Sequence, residues 1–336
     1  MRLMNIFKRS KLQIPSTFTK EFMNELAIRF NTTSDKLIPL RIGESIIFNI
    51  ANKGILRISP ASQQDAETIE AKLYFQNYLY KNDARVVPVF TSANKKLVEK
   101  ITLGNSYYTA ALFEKAEGEI ITDKFWDNSI FYEMGKLTAK IHSLSKFYTP
   151  PANNLKHLIW HNTESQKINS QLPNSEEHLI KKFNNYLEEV KTINISINSF
   201  GLIHNDIHRG NLFLYKDKIT LFDFDDLTYS WFLNDVACIL YNALLHHKKN
   251  VSESQFYIKN FMQNFWQGYH INNKLDFDDL SKIPALLSMR AISIYAYLNK
   301  NWDVKNLNHA QQNYFNLNKM YAEENFLLMN LNLLYP

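Results

Sequence analysis

The sequence predicts an α+β fold of two lobes, and three observations lead to this prediction. Strand patterns with a single crossover helix dominate residues 17–115, whereas long helical patterns dominate residues 116–336. Within the second part, residues 203–226 interrupt the helical pattern with a loop and a hairpin rich in histidine, asparagine and aspartate. The 336-residue chain is 45% hydrophobic and 14% aromatic, so it is long and apolar enough to bury a substantial core.

The predicted small lobe begins with a helix and continues with short strands. Phe22, Leu26 and Phe30 recur at helical spacing and predict a first helix over residues 18–30. The same spacing of apolar residues predicts the crossover helix over residues 65–80. Runs of β-branched and aromatic residues predict strands at residues 36–41, 46–50, 54–58, 86–90, 96–101 and 107–113.

The predicted large lobe is mostly helical. Apolar residues recur every three or four positions over residues 129–147 and predict a long helix there. The polar segment 148–171 contains prolines and is interpreted as a long connection or insertion. A further helix is predicted over residues 176–190, with Asn174 as its cap, and helices resume at Asn234 and continue to the C-terminus.

Residues 204–211, His-Asn-Asp-Ile-His-Arg-Gly-Asn, are the most informative part of the chain. Asp206 and Asn211 are five positions apart, and Asp223 follows Asn211 by twelve positions, after a predicted hairpin of two short strands. Kinases place three groups in this order and at this spacing: an aspartate that receives a hydroxyl proton, an asparagine that holds a metal ion, and an aspartate that holds Mg²⁺ against nucleotide phosphates. The stretch therefore predicts a phosphotransferase.

Four motifs resemble, in order, those of the aminoglycoside phosphotransferase family, the small-molecule branch of the protein-kinase-like fold. The family's helical pattern Gly-x-x-x-Ala-x-x-His is matched by residues 135–142, and its catalytic segment His-Gly-Asp-Leu-His-x-Gly-Asn by residues 204–211. Its Ile-Asp-Phe resembles residues 222–224, and its Asp-Leu-Ala resembles residues 235–237. The sequence Glu-Lys-Ala-Glu-Gly at residues 114–118 is similar to the family's linker between lobes. The resemblance implies a bilobal protein-kinase-like fold.

The resemblance also implies ATP and Mg²⁺ as cofactors and a hydroxyl-bearing small molecule as the phosphate acceptor. It assigns Asp206 as the catalytic base, or as the group that orients the acceptor hydroxyl. It assigns Asn211 and Asp223 as ligands of Mg²⁺, which prefers oxygen ligands of this kind. Asp225 and Asp226 are left open between a second metal contact and a structural role.

Three further side chains near this loop are expected to support it. His204 is predicted to hydrogen-bond within the loop, and Asp235 is predicted to anchor the loop backbone from the start of the next helix. His208 lies two residues past Asp206 and either lines the site or supports the loop.

In the small lobe, the resemblance implies a nucleotide site with an arginine at its centre. Arg57 lies on a predicted strand where the fold places a cation that contacts phosphate. Its acidic partner is predicted to be Glu70, although another register of the crossover helix puts Lys72 there. Gly43 and Ser45 lie in the predicted nucleotide loop, which has one glycine where relatives usually show two.

Composition argues against several other classes of protein. The net charge of +5 is spread along the chain without a basic run, so no nucleic-acid partner is expected. The single cysteine, Cys238, rules out an internal disulfide and a multi-cysteine zinc site. No stretch of about 18 apolar residues predicts a membrane span, and residues 1–9 lack the apolar core of a signal peptide, so a cytoplasmic protein is expected. The sequence gives no indication of the oligomeric state.

Three alternative functions compete with a small-molecule kinase. The single-glycine loop favours a non-catalytic pseudokinase that keeps the fold. Some relatives modify protein serine or threonine, but no Ala-Pro-Glu activation segment follows Asp223, which favours a small acceptor. His204, Asp206 and His208 also resemble a metal-ligand triplet of a hydrolase, although this reading leaves Asn211 unexplained.

The acceptor itself is not predicted by the fold. Asp276, Asp278 and Asp279 can attract a cationic acceptor, or they can lie at a helix N-terminus, where the helix dipole favours them. Arg290, on a helix predicted over residues 283–298, can meet an anionic acceptor or pair with an acid.

Overall fold

The computed structural model describes residues 14–151, 158–326 and 329–335. Residues 1–13, on which the expectation about a signal peptide rests, lie outside this description. Over the described residues the predicted α+β fold is confirmed, with an antiparallel sheet in the first part and a helical second part. The division into residues 17–115 and 116–336 stays a prediction. Within the described ranges, no helix combines the length and the apolar character that a membrane crossing requires.

The small lobe is built on a six-stranded antiparallel sheet, as far as the described residues show. The strand order is β1-β2-β3-β6-β4, and β5 also pairs with β6. The strands are β1 (Leu37–Ile42), β2 (Ile46–Ile50), β3 (Gly54–Pro60), β4 (Val89–Phe90), β5 (Glu99–Leu103) and β6 (Ser106–Phe113).

The strand predicted at residues 86–90 is shorter than expected, because part of it serves the contact between the lobes. Only Val89 and Phe90 pair with β6, whereas Val86 forms a parallel bridge with Leu221 of the large lobe. The backbone N–H of Val87 donates to the carbonyl of Leu221 at 3.0 Å. The two lobes therefore share main-chain hydrogen bonds at this point.

The two faces of the sheet are covered by different helices. Helix α1 (Lys20–Arg29) buries Leu26 in one apolar cluster with Leu56 of β3. Helix α2 (Ala66–Lys81) lies on the other face, in a cluster with residues of β4 and β6. Because side chains alternate along a strand, Arg57 points away from the face of Leu56 and toward the side of α2. The strand pattern thus directs Arg57 to the cleft between the lobes.

The large lobe is formed by long helices around one extended apolar core. Helix α3 packs against α7, and α8 packs against α4, α5, α6 and α9. The helices are α3 (Asn128–Ser145), α4 (Trp160–Gln171), α5 (Glu177–Val190), α6 (Phe232–His247), α7 (Gln255–Tyr269), α8 (Ile283–Asn301) and α9 (His309–Glu323).

Two expectations for the large lobe are wrong. The segment 148–171 was expected to be a connection, but its second half is α4, which buries Trp160 and Ile168 in the core. Two apolar anchors are enough to hold an otherwise polar helix against α8. Asn174 does not cap α5, because a turn of 3₁₀ helix from Asn174 to Glu176 precedes it and no side-chain cap is present.

Two small sheets present the loop of residues 204–211. Strands β9 (Leu212–Tyr215) and β10 (Lys218–Leu221) form the predicted hairpin, and β7 (Glu119–Ile120) pairs with β9. Strands β8 (Phe200–Ile203) and β11 (Thr228–Trp231) pair with each other and were not predicted. The loop therefore leaves one sheet at Ile203 and enters the other at Leu212, which fixes both of its ends.

Helices α3 and α7 approach each other through two glycines. A Cβ atom added to Gly135 would lie 1.9 Å from the carbonyl oxygen of Phe265, and one added to Gly268 would lie 2.0 Å from the carbonyl oxygen of Tyr132. Both contacts are to backbone atoms, which cannot rotate away. Gly135 is the first residue of the Gly-x-x-x-Ala-x-x-His pattern, so this packing explains why glycine occupies that position.

Replacing Gly268 by alanine is expected to lower the free energy of unfolding by at least about 2 kcal/mol, because α3 and α7 must move apart. Urea denaturation measures this change. Gly43→Ala is the matched control, since a Cβ there has its nearest neighbour at 3.8 Å. Equal stability of the two variants would contradict the close-packing interpretation.

Candidate active site

The structure brings Asp206, Asn211 and Asp223 to the same part of the cleft. Asp206 and Asp223 line one cavity of about 440 Å³, called the polar cavity below. The Asn211 amide nitrogen donates to the backbone carbonyl of Asp206 at 3.1 Å and lies 3.4 Å from its carboxylate oxygen Oδ2. Because the amide nitrogen of Asn211 faces Asp206, a cation would be bound by its amide oxygen. Asn211 itself is not in the lining of that cavity. Carboxylate and amide oxygens are the ligand types that Mg²⁺ prefers.

Asp206 is buried and has a cation as its close partner. The Nη2 atom of Arg290 lies 2.6 Å from Asp206 Oδ1, and the Nε2 atom of His208 lies 3.4 Å from Oδ2. Burial opposes ionisation of this carboxyl, but the surrounding charge, including that of His208 and Arg290, holds the pKa of Asp206 well below its ordinary value. The carboxylate is therefore ionised and able to accept a hydrogen bond from a hydroxyl group.

His204 supports the loop through both of its ring nitrogens. Nδ1 accepts from the backbone N–H of Asp206 at 3.2 Å, and Nε2 donates to the carbonyl of Phe222 at 3.2 Å. His204 thus ties the loop to the residue before Asp223, as predicted. With both nitrogens engaged, His204 cannot join Asp206 and His208 in a metal triplet. Among the described residues, the group with metal-ligand spacing lies elsewhere, at Glu176, His178 and Glu323.

Asp235 anchors the loop backbone from the first turn of α6. Its carboxylate accepts the N–H of His204 at 3.2 Å and the N–H of Asn205 at 2.8 Å. It also lies 3.1 Å from Nε2 of His142, whose Nδ1 lies 2.8 Å from the hydroxyl of Tyr269. Burial lowers the pKa of His142, and the bond to Asp235 opposes this only in part, so the ring is neutral. The proton of His142 therefore points to Asp235.

Two residues that are not glycine adopt left-handed backbone conformations at the site. Asn205 has φ 65° and Asp223 has φ 66°. Asparagine and aspartate tolerate this region better than most residues, and such strain concentrates at functional sites. Asn205 stands where the resembling family has glycine, and its side chain accepts from the amide of Asn234 at 3.1 Å. This bond compensates for the loss of glycine at that position.

Cations of the small lobe contact the segment around Asp223. The Nη1 atom of Arg57 lies 2.6 Å from Oδ1 of Asp225 and 3.4 Å from Oδ1 of Asp223. The ammonium group of Lys72 donates to the backbone carbonyl of Asp225, and burial lowers the pKa of Lys72. The expected pairing of Arg57 with Glu70 is therefore wrong. The structure shows the alternative register of α2: Lys72 is buried and its side chain lines the cleft.

The nucleotide loop predicted from the sequence is the turn between β1 and β2. The Ser45 hydroxyl lies 2.7 Å from that of Ser59 and is buried, while Gly43 is exposed. Neither residue lines the cavities described here, so a contact with phosphate through their backbone N–H groups stays a prediction. Glu44 does line the polar cavity, and its carboxylate accepts from the hydroxyl of Tyr297 on α8 at 3.0 Å.

A second cavity of about 400 Å³, the hinge cavity, adjoins the polar cavity. The two share Arg57, Gln64, Ile69, Asp223 and Asp225 in their linings. Most of its remaining lining is apolar and comes from both lobes and from the segment 114–118: Leu40, Ile47, Ile55, Leu73, Val87, Phe113, Ala116, Gly118, Phe213, Phe222 and Phe224. A flat apolar molecule with a charged extension fits this pair of cavities.

The comparison with protein families identifies the family of this chain. The model of the family described as "Phosphotransferase enzyme family" matches residues 47–274, which is more than half of the chain. The chain belongs to the phosphotransferase enzyme family. As predicted, it is a kinase that transfers phosphate to hydroxyl groups of small molecules.

Similar proteins extend this result. An amicoumacin kinase from Bacillus subtilis (strain 168) is 27% identical over 297 residues, which cover 87% of this chain and 88% of that protein. The solved structure of the amicoumacin kinase hAmiN in complex with AMP-PNP, Ca²⁺ and Ami superposes with a TM-score of 0.85 at 24% identity, covering 94% of this chain and 97% of that one. A spectinomycin phosphotransferase has a TM-score of 0.57 at 15% identity, with coverage of 94% and 97%.

Sequence reasoning about this phosphotransferase missed several residues of the cleft. Gln64 and Glu44 were not predicted, because a polar residue in a small-lobe turn carries no signal of its own. Arg290 was considered, but its partner Asp206 lies 84 positions away, and no sequence pattern links the two residues. By contrast, the acidic residues Asp276 and Asp278 are exposed and do not line the cavities described here.

The anchoring role of Asp235 predicts a large effect of a small change. In Asp235→Asn, one carboxylate oxygen becomes an amide NH2 group, a donor that faces N–H donors, so the free energy of unfolding should fall by about 2–4 kcal/mol. Urea denaturation measures it. Asp217→Asn is the same chemical change on the exposed hairpin turn and should change stability by less than about 0.5 kcal/mol. Similar losses in both variants would show that Asp235 is not an anchor.

Proposed function

We propose that this phosphotransferase uses ATP and Mg²⁺ to transfer the γ-phosphate to a hydroxyl group of a small molecule. The observation that carries the proposal is the placement of Asp206 and Asp223 on one cavity, with Asn211 hydrogen-bonded to Asp206. A metal ligand and a hydroxyl acceptor that face the same space are what in-line phosphoryl transfer requires. Such an enzyme works where ATP and Mg²⁺ are abundant, which supports the cytoplasm as its location.

The adenine base is proposed to occupy the hinge cavity, because its lining is mostly apolar and includes the segment between the lobes. The phosphates then extend into the polar cavity, which Arg57 of the small-lobe sheet lines. Backbone N–H groups at Gly43 and Ser45 are proposed to close over the phosphates. The presence of AMP-PNP in the hAmiN complex supports a nucleoside triphosphate as donor.

The residues present fit a Mg²⁺ site on the side of the large lobe. The Asn211 amide oxygen and the Asp223 carboxylate supply hard oxygen ligands, and the left-handed backbone of Asp223 fixes the direction of its side chain. When bound, the ion offsets the negative charge of the phosphates. Asp223 has to exchange part of its contact with Arg57 for this role, and the 3.4 Å separation shows that this contact is weak.

Asp206 is proposed to orient the acceptor hydroxyl and to receive its proton. Its lowered pKa keeps it ionised, so it can accept a hydrogen bond from the hydroxyl group at every pH near neutrality. A loose phosphoryl-transfer transition state needs little help from a strong base, and the main contribution is therefore positioning. Arg290 holds the carboxylate in one orientation while this happens.

The first acceptor to test is amicoumacin. The amicoumacin kinase from Bacillus subtilis is 27% identical and covers 87% of this chain, and the amicoumacin kinase hAmiN superposes with a TM-score of 0.85. Spectinomycin and aminopropanol, the substrates that name two structural neighbours, belong in the same panel. Release of ADP with each compound identifies the acceptor.

Asp206→Asn is expected to lower the rate of phosphate transfer by at least about 1000-fold, because the acceptor hydroxyl loses its proton acceptor. Coupled ADP release with amicoumacin measures the rate. Stabilisation of the variant by Mg·ATP in a thermal-shift titration should persist, since Asp206 is not a proposed ligand of the nucleotide.

The control for this experiment is Asp217→Asn, which should retain the full rate. Turnover by Asp206→Asn within about tenfold of the unaltered protein would contradict the assignment of Asp206. An unaltered protein that Mg·ATP stabilises but that transfers phosphate to no acceptor would favour the pseudokinase alternative. Transfer to a serine-containing protein, and to no small molecule, would favour the protein kinase.

A further inference from the structure

A third cavity, the α8 cavity, lies in the large lobe beside the polar cavity. It has a volume of about 350 Å³, and Gln64, Asp225, Asp226 and Tyr297 line both cavities. Its walls come from α4, from the loop after β8 and from α8, which contributes Arg290, Ser293, Ile294 and Tyr297. The shared lining residues connect the α8 cavity to the polar cavity, where Asp206 lies.

Two buried polar atoms on this face of α8 have no hydrogen-bond partner within the described parts of the chain. They are Nε of Arg290 and Oγ of Ser293. The two residues are three positions apart on one helix, so they lie on the same face, and both line the α8 cavity. Buried polar groups are nearly always paired, and an unpaired one requires an explanation. A ligand in the cavity supplies that explanation for both atoms at once.

Two nitrogen atoms of the Arg290 guanidinium group, Nη2 and Nε, differ in their hydrogen bonding. Nη2 donates to Asp206 Oδ1 at 2.6 Å, whereas Nε is the unpaired donor. Because the guanidinium is planar and rigid, an oxygen bound at Nε must lie close to the carboxylate that Nη2 holds. A ligand that satisfies Nε thus presents its neighbouring atoms to Asp206.

We propose that the α8 cavity is the acceptor subsite, in which Arg290 and Ser293 bind a carbonyl or carboxylate oxygen of the acceptor near the hydroxyl that is phosphorylated. This assignment rests on the proposed function. It adds the chemical class of the acceptor: a hydroxyl compound with a hydrogen-bond-accepting oxygen a few bonds away. It also gives Arg290 a second role, since one side chain then aligns both the base and the acceptor.

Ser293→Ala tests the proposal with amicoumacin and Mg·ATP as the probe. The variant should raise KM for amicoumacin about 3- to 10-fold, the value of one hydrogen bond, and should leave KM for ATP within about twofold. Arg290→Lys keeps the positive charge but loses the paired N–H donors of the guanidinium group. It should therefore raise KM for amicoumacin and also lower kcat. The division between KM and kcat separates binding from alignment of Asp206.

Ser288→Ala is the matched control on the same helix. Its hydroxyl is also buried without a partner among the described residues, but Ser288 does not line the α8 cavity. Its KM and kcat should match those of the unaltered protein. Melting temperatures of all three variants establish that they are folded.

Unchanged KM for amicoumacin in both Ser293→Ala and Arg290→Lys, with transfer intact, would overturn the subsite and leave the proposed kinase standing. An equal rise of KM in Ser288→Ala would also overturn it, because the effect would then come from the helix as a whole. Failure of the unaltered protein to phosphorylate amicoumacin overturns the subsite for this acceptor, and a Mg·ATP thermal shift then shows whether the nucleotide half of the proposal survives.

Discussion

One buried carboxylate holds the site together. Asp235 accepts the N–H groups of His204 and Asn205 at the start of the loop, and His142 of α3 donates to it from the opposite side. These bonds hold the backbone at Asn205, which has a left-handed conformation and directly precedes Asp206. The positions of the proposed base and of the proposed metal ligands therefore depend on a residue that touches neither substrate.

Contacts of positively charged side chains connect the two lobes, in addition to the main-chain hydrogen bonds. Arg57 and Lys72 of the small lobe both contact Asp225, one through its carboxylate and the other through its carbonyl. Nucleotide phosphates and a divalent ion bring charges of both signs into this space, so these contacts must rearrange when they bind. Before any nucleotide binds, Asp225 of the large lobe thus already has cationic partners from the small lobe.

The local parts of this structure could be predicted from the sequence, and the distant contacts could not. The spacing of Asp206, Asn211 and Asp223 predicted one site because short strands join them. The family resemblance predicted that Arg57 contacts phosphate, but Asp223, which it contacts together with Asp225, lies 166 positions away, and no sequence pattern links the two lobes here. Helix α4 escaped prediction because only Trp160 and Ile168 of its residues are buried. Tertiary packing, not periodicity, decides such a helix.

Transfer of label from the γ-position of ATP tests the central claim most directly. With amicoumacin and Mg²⁺, the label should appear in the acceptor in an amount equal to the ADP formed. Chelation of the metal should abolish the transfer, and added Mg²⁺ should restore it, because Asn211 and Asp223 would again hold the ion against the phosphates. Label found only in inorganic phosphate, or transfer that continues at full rate without a divalent ion, would contradict the account.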